Sequence, residues 1–360
     1  MQYGLRWADA WVPRVARQAA MPLLMLALSA CYRPAADVRS RGGWLYEIDA
    51  PTDTSRILTV EATFEGAHTD RLGISRDMHS YIRDLRVRSG EGFRPVERRG
   101  KEWVERACNW RCTVKYQVDL GELAAGCGDE VDCARRVGEA TLSPALAWLI
   151  HPMPRRDVPV TVHVRSGAAQ FASGMSAVDE SGRTFAFRSF DLDEGSFTAF
   201  GPMRRYRVDV PNGHGAPSRI DVAVVGAAPY AMSDANLRSW VEDAAQLTVP
   251  LFGRFPVPRA TLFVVPARGE EEVVFGKVLS LAGASVVVVV GDRMEADRRR
   301  KDWVLVHELF HLGFPTFRGE GRWLGEGLAT YYEPILRARA GWTSEAEIFR
   351  QFARNMPRGQ

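Results

Sequence analysis

The chain has 360 residues, room for one large domain or two to three ordinary ones, and its 46% apolar and 25% charged composition suits a soluble fold able to bury a real core. The formal net charge of +3, with no long block of one sign, argues against nucleic acid as a partner.

The first thirty residues read as a targeting segment. Arg6, Arg14 and Arg17 precede an apolar run from Met21 to Leu28, which ends in Leu28-Ser29-Ala30-Cys31. A charged start, a short apolar stretch and small residues before a cut make a secretory signal, and the run is too short for the roughly 20 residues that span a bilayer. Cysteine directly after small residues resembles the bacterial lipobox, which makes residues 1–30 a lipoprotein signal and Cys31 the lipidated first residue of the mature chain. A plain signal peptide cut nearby is the alternative. The expected location is the bacterial cell envelope, anchored to membrane through the lipid. Tyr32, where sorting by Asp is absent, favours the outer membrane, facing the periplasm or the exterior.

Four further cysteines remain: Cys108, Cys112, Cys127 and Cys133. An even count in an exported chain suggests two disulfides. Of the three pairings, the short-range Cys108–Cys112 and Cys127–Cys133 are expected; a second metal site is the alternative, although the spacing is not the usual one.

Residues 31–43 are polar and read as a tether. From Trp44 short alternating segments follow: 44–49, 57–64, 81–87, 113–120, 158–164, 184–190 and 206–210, separated by Gly, Pro, Asp and Asn. This is the pattern of a β-sandwich-like domain, placed at 44–220. His68, His79, His151 and His163 lie scattered in it without partners and read as ordinary structure. Beyond Ile220–Val225 the period changes. Leu237, Trp240, Val241, Ala244 and Leu247 mark an amphipathic helix from Ser233 to about Leu251, with Ser233 as N-cap. Buried strands are expected at 261–265 and 285–290, and helices at about 299–313, 324–338 and 344–355. The fold class is thus α+β, with a mixed α/β domain at 221–360.

The segment Val304-Leu-Val-His307-Glu308-Leu-Phe-His311 carries the chemistry. Two His at i and i+4 share one helix face and can present neutral imidazoles to one Zn²⁺. Glu308 then stands beside the open metal position, placed to take a proton from water. The alternative is a core helix with satisfied polar residues, which three such groups in so apolar a helix oppose. A catalytic zinc needs a third protein ligand. Glu326, on a helix returning after Pro315, Gly319 and Gly321, is the choice; Glu320 is its rival in the glycine-rich turn. Thr330 and Glu333, one and two turns on, are candidates to orient the ligands.

His-Glu-x-x-His followed by Trp323-Leu-Gly-Glu326-Gly-Leu-Ala-Thr-Tyr resembles the gluzincin zinc metallopeptidases. The aminopeptidase N superfamily and the glycyl aminopeptidase family share this pattern, and the β-rich N-terminal half is more similar to the latter. The resemblance implies one zinc per chain on His307, His311 and Glu326, Glu308 as general base, and a peptide or protein substrate. The larger superfamily carries Gly-Ala-Met-Glu-Asn on a strand upstream; here Gly283-Ala284-Ser285-Val286-Val287 is taken as its counterpart, a substrate strand without the amine-binding carboxylate. The family also continues into a helical domain, so a chain stopping at Gln360 implies a C-terminal helical part that is short or missing, weak activity, and an exposed apolar patch of Tyr331, Tyr332, Ile335, Leu336, Ile348 and Phe352. Tyr331 and Tyr332 are the local candidates for stabilising a transition state. The competing function is a non-catalytic envelope lipoprotein with a structural or vestigial zinc site and a partner-binding β-domain.

Overall fold

Alternation along residues 44–210 becomes sheet because every second side chain can be buried on one face. Trp44–Asp49 buries Trp44, Tyr46 and Ile48, and Ile57–Glu65 buries Leu58, Val60, Ala62 and Phe64. The computed structural model describes residues 42–52, 56–75, 77–128, 133–213, 215–315 and 321–355. Cys31, Glu320 and Gln360 lie outside them. No helix among the described residues is long and apolar enough to cross a membrane.

The main N-terminal sheet has seven strands, in the order Thr184–Arg188, Pro159–Ser166, Trp44–Asp49, Ile57–Glu65, Arg111–Asp119, Ile82–Ser89, Gly92–Pro95. Two four-stranded sheets accompany it. The segment after Pro144 is tied to the main sheet by buried phenols. Tyr46 Oη donates to Ile150 O at 2.7 Å, and Tyr116 Oη donates to Trp148 O at 3.0 Å. Helix α1 (Leu120–Cys127) is capped by Asp119, whose side chain accepts from Glu122 N, and was not foreseen in the alternating pattern. Disulfides join Cys108 to Cys112 and Cys127 to Cys133.

The second sheet has five strands, in the order Met203–Asn212, Gly215–Val225, Arg259–Ala267, Ser285–Gly291, Val273–Leu279. Its first strand starts at Met203 and pairs antiparallel with Gly215–Val225. A boundary at 220 therefore falls inside a strand, and the change of sheet lies ahead of it. Hydrophobic alternation alone does not say which sheet a strand joins.

Valine run 286–290 lies in an interior strand of the sheet, buried throughout. Val286, Val288 and Val290 pack with α2 (Asp234–Phe252) and α3 (Val304–His311), while Val287 and Val289 join Leu142, Phe197 and Phe263 on the other face. Two covered faces are why the run is continuous rather than alternating. Ser233 caps α2, accepting from Asn236 N at 3.3 Å. Helices α4 (Arg322–Arg339) and α5 (Glu345–Asn355) complete the described fold. Of the apolar patch expected on them, Leu336 and Ile348 are buried and Tyr331 is exposed, and Phe349 joins it at 69% exposure. Stacking of Tyr331 on Phe352 at 5.6 Å shows how part of that surface is covered.

Candidate metal centre

Helix α3 is only eight residues long, too short to stand alone, so packing and capping hold it. Leu305, Val306, Leu309 and Phe310 are fully buried. Phe310 stacks on Tyr332 at 5.7 Å and on Phe314 at 5.8 Å. The cap is Asp302, whose Oδ1 accepts from Val304 N at 2.9 Å and Oδ2 from Leu305 N at 3.2 Å. The helix was expected from about 299; instead Ala296–Arg300 forms a 3₁₀ turn and α3 begins after Asp302. An Asp directly ahead of an apolar run is an N-cap pattern, so this signal was present in the sequence.

One turn of α3 separates His307 from His311, and their Nε2 atoms stand 3.1 Å apart. From α4, Glu326 Oε2 lies 3.3 Å from His307 Nε2 and 3.5 Å from His311 Nε2. The three ligand atoms fall within 4.8 Å of one another. Both imidazoles have their proton affinity lowered, first by burial, with Glu326 opposing. Neutral rings with lone pairs turned toward one point and toward a carboxylate repel each other unless a proton or cation lies between them. This donor set, two imidazoles and one carboxylate, suits Zn²⁺ with an open position. His307 Nδ1 is buried and finds no partner among the described residues, so the usual outer hydrogen bond to that ring is missing there.

Glu308 is buried between α3 and the edge strand Val273–Leu279. Burial pushes its carboxyl up to about 8, the Glu326 charge adds to the rise, and Lys277 opposes it. Gly276 makes the close approach possible: a β-carbon there would stand 2.5 Å from Glu308 Cγ and 2.7 Å from Val304 Cγ1. Neither Gly276 nor the strand carrying it was foreseen, because Val273–Leu279 is a mixed, half-exposed edge with no clean period.

Gly283, Ala284 and Ser285 are not at the site. Ser285 Oγ accepts from Phe197 N at 3.0 Å, and Ala284 O accepts from Thr261 N at 2.9 Å. Gly283, at φ +142°, packs so closely on Gly174–Ser176 that a β-carbon would meet Gly174 O at 2.2 Å. These residues tie the second sheet to the N-terminal strands, away from His307, His311 and Glu326, and the strand that lies beside Glu308 is Val273–Leu279, which carries no carboxylate either. The reason is topological: the valine strand has a neighbour on each side, whereas Val273–Leu279 is one of the sheet's two edge strands among the described residues.

Thr330 is exposed, and no hydrogen bond joins it or Glu333 to an imidazole among the described residues. Two helical turns rise about 10 Å, which carries Glu333 past the imidazoles to the start of α3. There it pairs with Arg337 at 2.5 Å, and Arg337 Nη1 donates to Lys301 O at 3.2 Å. Burial pushes Glu333 up to about 7 and Asp302 up to about 6, with Arg337 opposing both. Glu333 thus helps fasten α4 to the start of α3, a positioning part it plays from a distance. Tyr331 and Tyr332 serve helix packing, through Phe352 and Phe310.

No protein-family model matches the chain, and no curated protein sequence does. Solved structures do. The fold is similar to that of an aminopeptidase N family protein from Idiomarina loihiensis, at TM-score 0.62 and 18% identity over 84% of this chain and 55% of that one. It is also similar to the M1 zinc metallopeptidase of Deinococcus radiodurans, at TM-score 0.50 and 16% identity over 86% and 73% of the two chains. This chain therefore has the fold of M1 zinc aminopeptidases, the first of the two groups its motif resembles, and spans about half the length of the Idiomarina protein.

Proposed function

We propose that this chain is a zinc metallopeptidase, tethered to the bacterial envelope by a lipid on Cys31, that hydrolyses peptide bonds with Glu308 as general base. The observation carrying it is the convergence of His307, His311 and Glu326 within 4.8 Å, with the Glu308 carboxylate buried alongside. His307, His311 and Glu326 would hold the metal. When bound, zinc supplies Lewis acidity, polarising a carbonyl and lowering the pKa of water toward about 7.

Glu308 takes a proton from the attacking water and delivers it to the departing amide nitrogen as the C–N bond breaks. Its raised proton affinity suits a group that must hold a proton between those two events. Val273–Leu279 is an edge strand among the described residues, where an extended peptide could add alongside, and Gly276 keeps its backbone against Glu308. Exposure of Glu326, with a 59% accessible side chain, leaves the metal side of the cleft open to substrate.

The test is Glu308→Gln in the mature chain. It should keep about one zinc per chain and lose about 10²–10⁴-fold of peptide hydrolysis. Zinc binding without any Glu308-dependent cleavage would favour a non-catalytic envelope lipoprotein instead. Support for the anchor is the sequence around Cys31 alone. Cys31→Ser should release the chain from the membrane fraction or block signal processing; a lipid-free wild-type protein would remove the tether.

A further inference from the structure

The register of the seven-stranded sheet lines up five residues along one of its ends. Trp44 pairs with Phe64 on one side and Val160 on the other. Glu65, next to Phe64, pairs with Arg111 and donates from its backbone N to Gly43 O at 3.0 Å. Pro159, next to Val160, pairs with Arg188. Gly43, Glu65, Arg111, Pro159 and Arg188 therefore share the end at which the described chain enters the sheet. Two large apolar side chains are exposed there, Trp110 at 69% and Phe190 at 49%. Trp110 directly precedes Arg111, inside the loop closed by the Cys108–Cys112 disulfide. Its carbonyl accepts from Gly66 N at 2.7 Å, and its ring meets that of His68 at 5.4 Å. Phe190 follows Ser189, whose N donates to Val158 O at 3.0 Å. A fastened backbone on each side thus presents both rings to solvent. Exposed Arg106 precedes the first loop, and exposed Arg156, whose carbonyl accepts from Ser189 Oγ, sits beside the second. Glu65 and Asp157 at this end are already paired with Arg111 and Arg188.

We propose that this end of the sheet lies on the phospholipid surface, with Trp110 and Phe190 in the headgroup layer and Arg106 and Arg156 beside its phosphates. Tryptophan suits that layer because its ring is apolar and its N–H polar. Basic side chains beside it gain from anionic lipid. The occupant follows from the length of chain leading here. Gly42 is eleven residues after Cys31, a reach of at most about 40 Å when fully extended. A tether this short holds the two rings at an effective concentration on the order of millimolar near the bilayer, so a weak surface is enough. The strands leading to the two rings are four spacings apart, about 19 Å, so two contacts set the orientation of the domain as well as its distance. This rests on the lipid anchor at Cys31 and is independent of the peptidase reading.

Flotation with vesicles of phosphatidylethanolamine and phosphatidylglycerol, at millimolar lipid, tests it on the mature chain made lipid-free by Cys31→Ser. That protein should partition onto the vesicles, and Trp110→Ser with Phe190→Ser should weaken the partition at least about tenfold. Val178→Ser is the control. Val178 is also exposed, at 54%, but its N donates to Thr184 O, at the other end of the strand that finishes at Arg188. It should partition like the parent, and all variants should keep the parent's Tm. Absence of partition, or equal partition with and without the two rings, overturns the proposal. Self-association in sedimentation that Trp110→Ser abolishes, without binding to lipid, overturns it in favour of a second copy of the chain. Mass spectrometry of the wild-type chain tests the anchor separately. A wild type without lipid, beside a Cys31→Ser protein that partitions through its two rings, removes the anchor and keeps the surface.

Discussion

Gly276 and Glu308 touch as backbone and side chain: a β-carbon on residue 276 would lie 2.5 Å from Glu308 Cγ and 2.8 Å from its Oε1. Real β-carbons are not found so close, so an alanine must push either the edge strand or the carboxylate aside. A displacement of about 1 Å in a reacting group costs on the order of 10²-fold in rate. Gly276→Ala should therefore lower kcat by about that factor. Zinc content should stay at the wild-type level, since the three ligands are on α3 and α4. Wild-type kcat in the alanine variant would show that Glu308 is not held by this contact.

Metal removal should destabilise the fold. A metal that binds the native chain and not the unfolded one stabilises it by about 2.7 kcal/mol at 100-fold excess over its Kd. Chelation should lower Tm, and His311→Ala or Glu326→Ala should abolish the chelator effect. Elemental analysis checks the same ligand set; full metal content in either variant contradicts it.

Arg337 faces two buried carboxylates at the junction of α3 and α4. Arg337→Leu strips both of their counter-charge and should cost about 3–5 kcal/mol, less whatever proton uptake by Glu333 recovers. Asp302→Ala should cost about 1–2 kcal/mol through the lost cap. Urea unfolding of both variants gives the numbers. A neutral Arg337→Leu would mean the ion pair contributes nothing to docking of the helices.

His151 supplies an acid-sensitive element. It is buried, stacked on Trp44 at 6.1 Å, and burial holds its imidazole down at about 4, below the ordinary 6.5. Above 6.5 both folded and unfolded chains carry it neutral, and stability is full. Below that the unfolded chain gains the proton first, so stability falls between about 6.5 and 4, by about 3 kcal/mol in total. His151→Phe should flatten this limb when unfolding free energy is measured from pH 7 to pH 4. An unchanged slope would assign the acid sensitivity to other groups.

The two disulfides close loops of sequence separation 4 and 6. Loop entropy gives about 2 kcal/mol for each. Cys108→Ser/Cys112→Ser should lower stability by that amount without unfolding the zinc sheet, which has its own core. Loss of zinc binding in this variant would show coupling between the two sheets.

What the sequence by itself determined was everything written in short-range spacing. Four residues and one turn put His307 and His311 on one face; an alternation of two marked the N-terminal strands; five successive valines marked a strand covered on both faces. Even Glu326 was legible, because a turn-rich stretch after an apolar helix implies a helix coming back. Only the tertiary structure decided which strand flanks Glu308. Gly283 and Gly276 are both glycines within apolar stretches; pairing order puts one in a weld between sheets and the other against Glu308. The same holds for Glu333, whose helical phase matches Glu326. Distance along the axis, fixed by how α4 docks on α3, gives it Arg337 as its partner instead of an imidazole. Periodicity reports which face a residue is on; what that face meets depends on contacts between segments far apart in the chain, and those exist only once the sheets have closed.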